Sequence, residues 1–208
     1  GLGDVYKRQA SHDTTKIQIL IEEIAWEFEY SNPDSAIYYF EEAIALVNNN
    51  IAKPINADEL RALRILEAIA TRYIGIIYIN QGDYEKSREF FSKALGLFTD
   101  VDYTVGVSAS YGNIGDSYLY QNSYSLAIEF FSKSLNFSAE VDDKHGMAKA
   151  NNNLGLTYYY IGNYDKAVAY YLEAARINET LENRWLLASN YNNLGICLLY
   201  TSPSPRDR

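Results

Sequence analysis

The residue types that could do chemistry in this chain are few and scattered. Its two histidines, His12 and His145, stand far apart, and neither accompanies a nucleophile motif. The stretch VDDKHG beginning at Val141 brings Asp142, Asp143 and His145 close together, the makings of a weak metal site. An aspartate at a helix start accepts free backbone N–H groups and complements the helix dipole, so capping accounts for the pair without a metal. Glu22 and Glu23, like Glu41 and Glu42, are adjacent on helical patterns and point apart, which suits solvated faces better than an acid/base pair. The tripeptides NFS at Asn136 and NET at Asn178 match the glycosylation pattern, one short enough to recur by chance. Outside Gly1 and Gly3 no glycine loop suits a phosphate. The residues therefore predict no enzyme, no catalytic residue, no metal and no cofactor.

Asparagine stands out instead. Asn113, Asn153 and Asn193 each precede an apolar residue and a glycine, and Asn152 and Asn192 precede two of them. Asparagine is a mediocre helix former, so three copies at one spacing need a reason. Either each amide bonds to its own or a neighbouring helix, or it is kept to donate to and accept from the backbone of a bound chain.

The elements that must position these amides repeat. Gly75, Gly115, Gly155 and Gly195 lie 40 residues apart, within RYIGIIY, GNIGDSY, NNLGLTY and NNLGICL. A second motif follows the first three: QGDYEKSREFFSKAL from Gln81, QNSYSLAIEFFSKSL from Gln121 and IGNYDKAVAYYLEAA from Ile161. An earlier copy, NPDSAIYYFEEAI, begins at Asn32. Apolar periodicity predicts helices at about 13–30, 33–49, 58–81, 84–99, 103–121, 124–140, 144–161, 164–181 and 184–199. Pro33 and Pro54 fall in turn-like contexts. Small residues at helical spacing let two helices approach, and the aromatics fill the space beside each contact.

These motifs resemble the tetratricopeptide repeat family, a helix-turn-helix unit. The apolar–glycine pair of its first helix matches Ile74-Gly75, Ile114-Gly115, Leu154-Gly155 and Leu194-Gly195, followed by Tyr78, Tyr118 and Tyr158. Its turn and second helix match Tyr84, Tyr124 and Tyr164. The small positions match Ala36, Ser87, Ala127 and Ala167, and then Ala43, Ala94, Ser134 and Ala174. Its second-helix aromatic matches Phe40, Phe91, Phe131 and Tyr171. The period of 40 is longer than the family's commonest. The resemblance implies an all-α, right-handed α-solenoid with repeats at about 13–49, 58–99, 103–140 and 144–181 and a half repeat at 184–196.

It also implies that Asn113, Asn153 and Asn193 face a groove for a protein or peptide ligand. First helices packed roughly 8 to 10 Å apart would meet an extended peptide about every third residue. On the same face the register places Arg72, Ile76, Asp116, Tyr120, Lys149, Asn152, Leu156, Tyr159 and Tyr160, expected to select side chains. Arg72, Asn113 and Lys149 partly match the family's clamp for chaperone C-termini. Ile76 and Asn153 stand where that clamp has Asn and a basic residue, which argues against chaperone tails. The period, with the linker DDKHGMAKANNNLG, looks like arrays in bacterial signalling proteins ahead of a histidine kinase, cyclase or transcription regulator, and like intracellular peptide receptors. A sensory input region and a self-assembly scaffold are the alternative readings.

The two ends read differently. GLGDVYKRQ back-translates as GGG CTC GGA GAT GTG TAT AAG AGA CAG, and the reverse complement read from its second base gives CLLYTSPSP, matching Cys197 to Pro205. Both resemble one sequencing adaptor, so residues 1–9 and 197–208 are set apart as non-native and residues 10–196 are read as the protein. The lone Cys197 then carries no weight for disulfides or compartment. Without Lys7, Arg8, Arg206 and Arg208 the basic count falls from 18 to 14, and without Asp4 and Asp207 the acidic count from 27 to 25, a net −11. An acidic chain repels phosphate backbones, which predicts no nucleic acid partner. No apolar run has the roughly 18 residues a membrane helix needs, so this segment is not expected to insert in a bilayer, and the compartment, cytoplasmic or periplasmic, stays open. The last helix lacks a second-helix partner, so its uncapped apolar face is a candidate for self-association.

Overall fold

The described elements are all helices, six of them capped by a short polar side chain and six followed by one repeated turn. The computed structural model describes residues 13–24, 32–53 and 55–201. Among these the chain forms α1 (Asp13–Ile19, continued by a π-helical turn over Leu20–Ile24), α2 (Pro33–Ile51), α3 (Ala57–Asn80), α4 (Tyr84–Asp100) and α5 (Thr104–Tyr120). Then follow α6 (Tyr124–Glu140), α7 (Lys144–Ile161), α8 (Tyr164–Thr180) and α9 (Arg184–Thr201). The expected first helix ran to about residue 30, and its part beyond Ile24 lies outside the described residues, as do Pro54, residues 1–12 and residues 202–208. The π turn at its end had no signal in the apolar periodicity.

The helix starts are chemically explicit. Asn32, Asn56, Asp83, Asp143, Asn163 and Asn183 each accept a backbone N–H three residues ahead. Pro33 takes the first helical position of α2 rather than a turn, where its missing N–H costs nothing. Asp143 is thus a helix cap, and Asp142 pairs with Lys144. Among the described residues no group of three candidate ligands is placed to hold a metal.

The helix ends repeat every 20 residues. Gly82, Asp102, Asn122, Asp142, Gly162 and Glu182 all have positive φ, between 50° and 81°. The residue after each donates its N–H to a carbonyl five residues back, at 2.9 to 3.0 Å. This left-handed closure is the motif that glycine, asparagine and aspartate favour.

The chain divides into two compact units inside α5, residues 1–113 and 114–208. In the first unit Ile17, Leu20 and Ile21 of the α1 segment meet Ala36, Phe40, Ala43 and Val47 of α2 and Leu63, Leu66, Ala70, Ile74 and Ile77 of α3. Phe40 stacks on Tyr73 with centroids 5.4 Å apart, and α3 packs on α4. In the second unit Ala127 and Phe131 of α6 pack with Leu119 and Leu154, and Ala167 and Tyr171 of α8 with Leu194 and Cys197 of α9.

The aromatic doublet of each second helix divides its labour. The first ring stacks on the tyrosine of the preceding helix, Phe90 on Tyr78, Phe130 on Tyr118 and Tyr170 on Tyr158, each pair 5.4 Å apart. The second ring lies against the glycine. A Cβ on Gly75, Gly115 or Gly155 would stand 2.6, 2.7 or 2.8 Å from the ring of Phe91, Phe131 or Tyr171. The fourth glycine differs, because a Cβ on Gly195 would meet nothing within 4 Å.

Candidate functional site

The polar residues that the repeat register placed on one face have different fates. In the first unit Asn113 is only 4% exposed and its Nδ2 has no hydrogen-bond partner. The preceding repeat carries Ile76 at the position that Asp116 fills one repeat later, so by register Asn113 finds hydrocarbon where Asn153 finds a carboxylate. Its amide is not free for a ligand backbone as expected. Arg72 lies over the ring of Tyr73, 4.8 Å from its centroid. Burial lowers the pKa of its guanidinium, while Tyr73 and Tyr103 act in the opposite sense.

The second unit gathers the rest. Asn153 Nδ2 on α7 donates to Asp116 Oδ1 on α5 at 2.9 Å, and Lys149 Nζ stands 3.9 Å from Asp116 Oδ2. The Asp116 side chain is 24% exposed and that of Lys149 62%. Burial pushes the Asp116 carboxyl up to about 6, with Lys149 pulling the other way. Around this carboxylate a cavity of ≈ 260 Å³ is lined by Asp116, Leu119, Tyr120, Asn122, Asn153, Leu156 and Tyr160. Tyr120 and Tyr160 are both more than half exposed. The Tyr160 ring is held by stacking on Tyr124, with centroids 6.0 Å apart, and Tyr124 in turn donates its hydroxyl to Asn122 Oδ1 at 2.9 Å. Tyr159 sits behind the rim: it packs against the core around Tyr171 and Leu194, leans on Tyr164 and meets the Tyr160 ring edge-on with centroids 5.8 Å apart. It is half-buried and does not line the cavity itself.

A second polar cluster follows toward α9. Asn193 Nδ2 reaches Asn152 Oδ1 at 3.4 Å, and Asn190 Nδ2 reaches the same oxygen at 3.0 Å. Asn178 Nδ2 of α8 donates to Asn190 Oδ1 at 2.8 Å, while Asn178 Oδ1 is buried without a partner. A cavity of ≈ 440 Å³ beside this chain of amides is lined by His145, Lys149, Asn152, Asn153, Asn178, Ser189 and Asn190, with Ala148 and Leu186. Asn178 and Asn190 were not singled out as site residues. Asn178 stands in the glycosylation tripeptide NET, and at 2% exposure it is closed to a glycosyl transfer. Asn153 and Asn193 are thus bonded across helices and are not free carboxamides.

Comparison with known proteins agrees with this architecture. The tetratricopeptide repeat profile matches residues 66–140 and 146–202. The chain belongs to the tetratricopeptide repeat family. Its fold is an α-solenoid of helix hairpins, shared with BtubC from P. vanneervenii at TM-score 0.76 and 19% identity over 96% of this chain and 80% of that one. Aspartyl phosphate phosphatase F from Bacillus subtilis is similar at TM-score 0.78 and 15% identity, with 91% of this chain matching 47% of that protein. A putative kinesin light chain of Podosopora anserina aligns at TM-score 0.64 and 12% identity over 92% and 89%. No curated protein matches the sequence. These likenesses carry the fold, and the repeat family is one of protein-interaction scaffolds. No helix among the described residues is long and apolar enough to cross a membrane.

Proposed function

We propose that this chain is a non-catalytic peptide-binding scaffold whose working face lies on the second unit. The observation that carries the reading is the Asp116–Asn153–Lys149 cluster opening on a cavity rimmed by the exposed rings of Tyr120 and Tyr160. Polar groups fixed by one another beside open aromatic surface suit an extended segment, which needs both backbone partners and side-chain seats. Asn152 and Asn193 continue the polar surface, their amides already ordered by bonds to each other and to the buried Asn190, so binding would cost less side-chain entropy. No bond is made or broken in this function. A signalling context, in which the array feeds an output domain, is compatible with the reading and adds nothing to the chemistry of the face.

The test is selection of peptides from a random extended library on the full chain, followed by calorimetry. Tyr120→Ser with Tyr160→Ser, both at rings more than half exposed, should weaken a selected peptide by about 10-fold or more with an unchanged circular dichroism spectrum. Undiminished binding in that double variant would move the site off this face.

Self-association is a second reading, favoured by α9. Trp185 and Tyr191 are exposed on it, and Gly195 meets no ring. Sedimentation across a hundredfold concentration range separates the readings, because a monomer throughout excludes assembly.

A further inference from the structure

We infer that the cavity beside Asp116 is the seat for an arginine side chain of the bound segment. This rests on the peptide-binding reading of the same face and adds the residue type that the face selects.

The repeat itself marks the site as unusual. At the position of Asp116 the other repeats carry Ile76, Leu156 and Ile196, and at the position of Lys149 they carry Ile69, Ala109 and Ser189. A position that is hydrocarbon three times out of four tolerates hydrocarbon structurally, so packing does not call for a carboxylate there. That carboxylate is incompletely used. An ionised carboxylate offers about four acceptor sites, and Asn153 fills one of them at 2.9 Å. Lys149 Nζ, at 3.9 Å from the second oxygen, lies beyond hydrogen-bond reach and is itself mostly exposed.

The walls choose among cations. Tyr120 and Tyr160 present aromatic surface to the same cavity, and Tyr160 is braced by Tyr124. A guanidinium is planar, weakly hydrated and forked, so it can lie on a tyrosine face while donating two parallel N–H bonds to a carboxylate. An ammonium is compact and strongly hydrated and uses such a slot poorly. An apolar side chain would bury Asp116 further with nothing to pair it, and an anionic one would meet it directly. The chain's net charge of −9 adds a field that draws basic segments toward it. Lys149, the charged group facing Asp116 from α7, competes weakly with the incoming cation and would swing out to solvent.

The probes are N-acetyl-arginine methylamide and its neutral isostere N-acetyl-citrulline methylamide, titrated into the full chain at pH 7.5. Binding is followed by the Asn153 side-chain amide resonances. The arginine probe should shift them saturably, with the citrulline probe about 10-fold weaker or more. Asp116→Asn should abolish that preference and Lys149→Met should tighten the arginine probe. Tyr160→Ser, at an exposed ring, should weaken it and serves as a second variant on an intact fold. Equal response to both probes, or an arginine preference that survives Asp116→Asn, overturns the inference. Selected peptides that bind without regard to arginine would overturn it too while leaving the peptide-binding scaffold standing. An arginine probe that binds while no peptide does would keep the cavity and remove the scaffold reading.

Discussion

Replacing Asp116 by asparagine should make the protein more stable near neutral pH, although it removes a charge that has a partner. The Asp116 carboxyl ordinarily titrates at 3.8 and is pushed up to about 6 by burial, even with Lys149 opposing. A raised folded-state pKa means that the folded chain holds this proton more tightly than the unfolded chain. The stabilising effect is complete below 3.8 and is lost as pH rises through 6, so at pH 8 the ionised carboxylate weighs against folding. The gap of about two pH units, at ~1.4 kcal/mol each, sets an upper bound of about 3 kcal/mol. The asparagine keeps an oxygen for Asn153 Nδ2 and needs no charge buried, so most of that bound is recoverable. For a chain of this size ~1 kcal/mol moves Tm by about 2 to 4 °C. Calorimetric melting at pH 4 and pH 8 is the assay: the variant should gain several degrees at pH 8 and almost nothing at pH 4. A Tm at or below that of the natural chain at pH 8, or a gain equal at both pH values, would refute the reasoning.

Other outcomes follow from the same geometry. Asn153→Ala strips Asp116 of its hydrogen-bond donor and should cost ~1.5 to 3 kcal/mol, whereas Asn113→Ala deletes a buried donor that has no partner and should cost at least ~1 kcal/mol less, both read by urea unfolding. Alanine at Gly75, Gly115 or Gly155 drives a Cβ against a ring and should cost ~1 to 3 kcal/mol. Alanine at Gly195, where nothing lies within reach, should instead stabilise α9 by up to ~1 kcal/mol. Glu182, the non-glycine turn residue that is neither Asp nor Asn, should gain about 1 kcal/mol on replacement by glycine. Binding of the arginine probe should fade as pH falls through about 6, because protonation removes its counter-charge, and titration by nuclear magnetic resonance checks this.

The fold was legible because packing here is written in residue type and spacing. Gly115 and Phe131 can sit face to face only if two helices touch there, and the same pair recurs at 75/91 and 155/171. One helix start was readable from residue type, since the aspartate pair at 142 and 143 suggests a cap and Asp143 is one; Asp83 and Asn163, each eight residues after a repeat glycine, cap their helices in the same way. The site was read less well, because the fate of an amide depends on its neighbour in another repeat. Asn113 and Asn153 look equivalent until positions 76 and 116 are compared, and only that comparison separates an orphaned amide from a bonded one. Asn178 and Asn190 escaped because they do not recur: the corresponding residues one repeat earlier are Ser138 and Ala150. Periodicity finds what is shared, and a binding preference resides in what is not.

The identical closures at residues 82, 102, 122, 142, 162 and 182 have a kinetic consequence. A turn that recurs every 20 residues cannot tell a first helix from a second one, so a nascent chain that slipped by one helix would still close its corners. Discrimination falls to the glycine–ring seats, which recur only every 40 and would clash or gape in the slipped register. Folding errors should therefore be corrected late, when neighbouring helices dock, and early intermediates should have native corners before they have native neighbours.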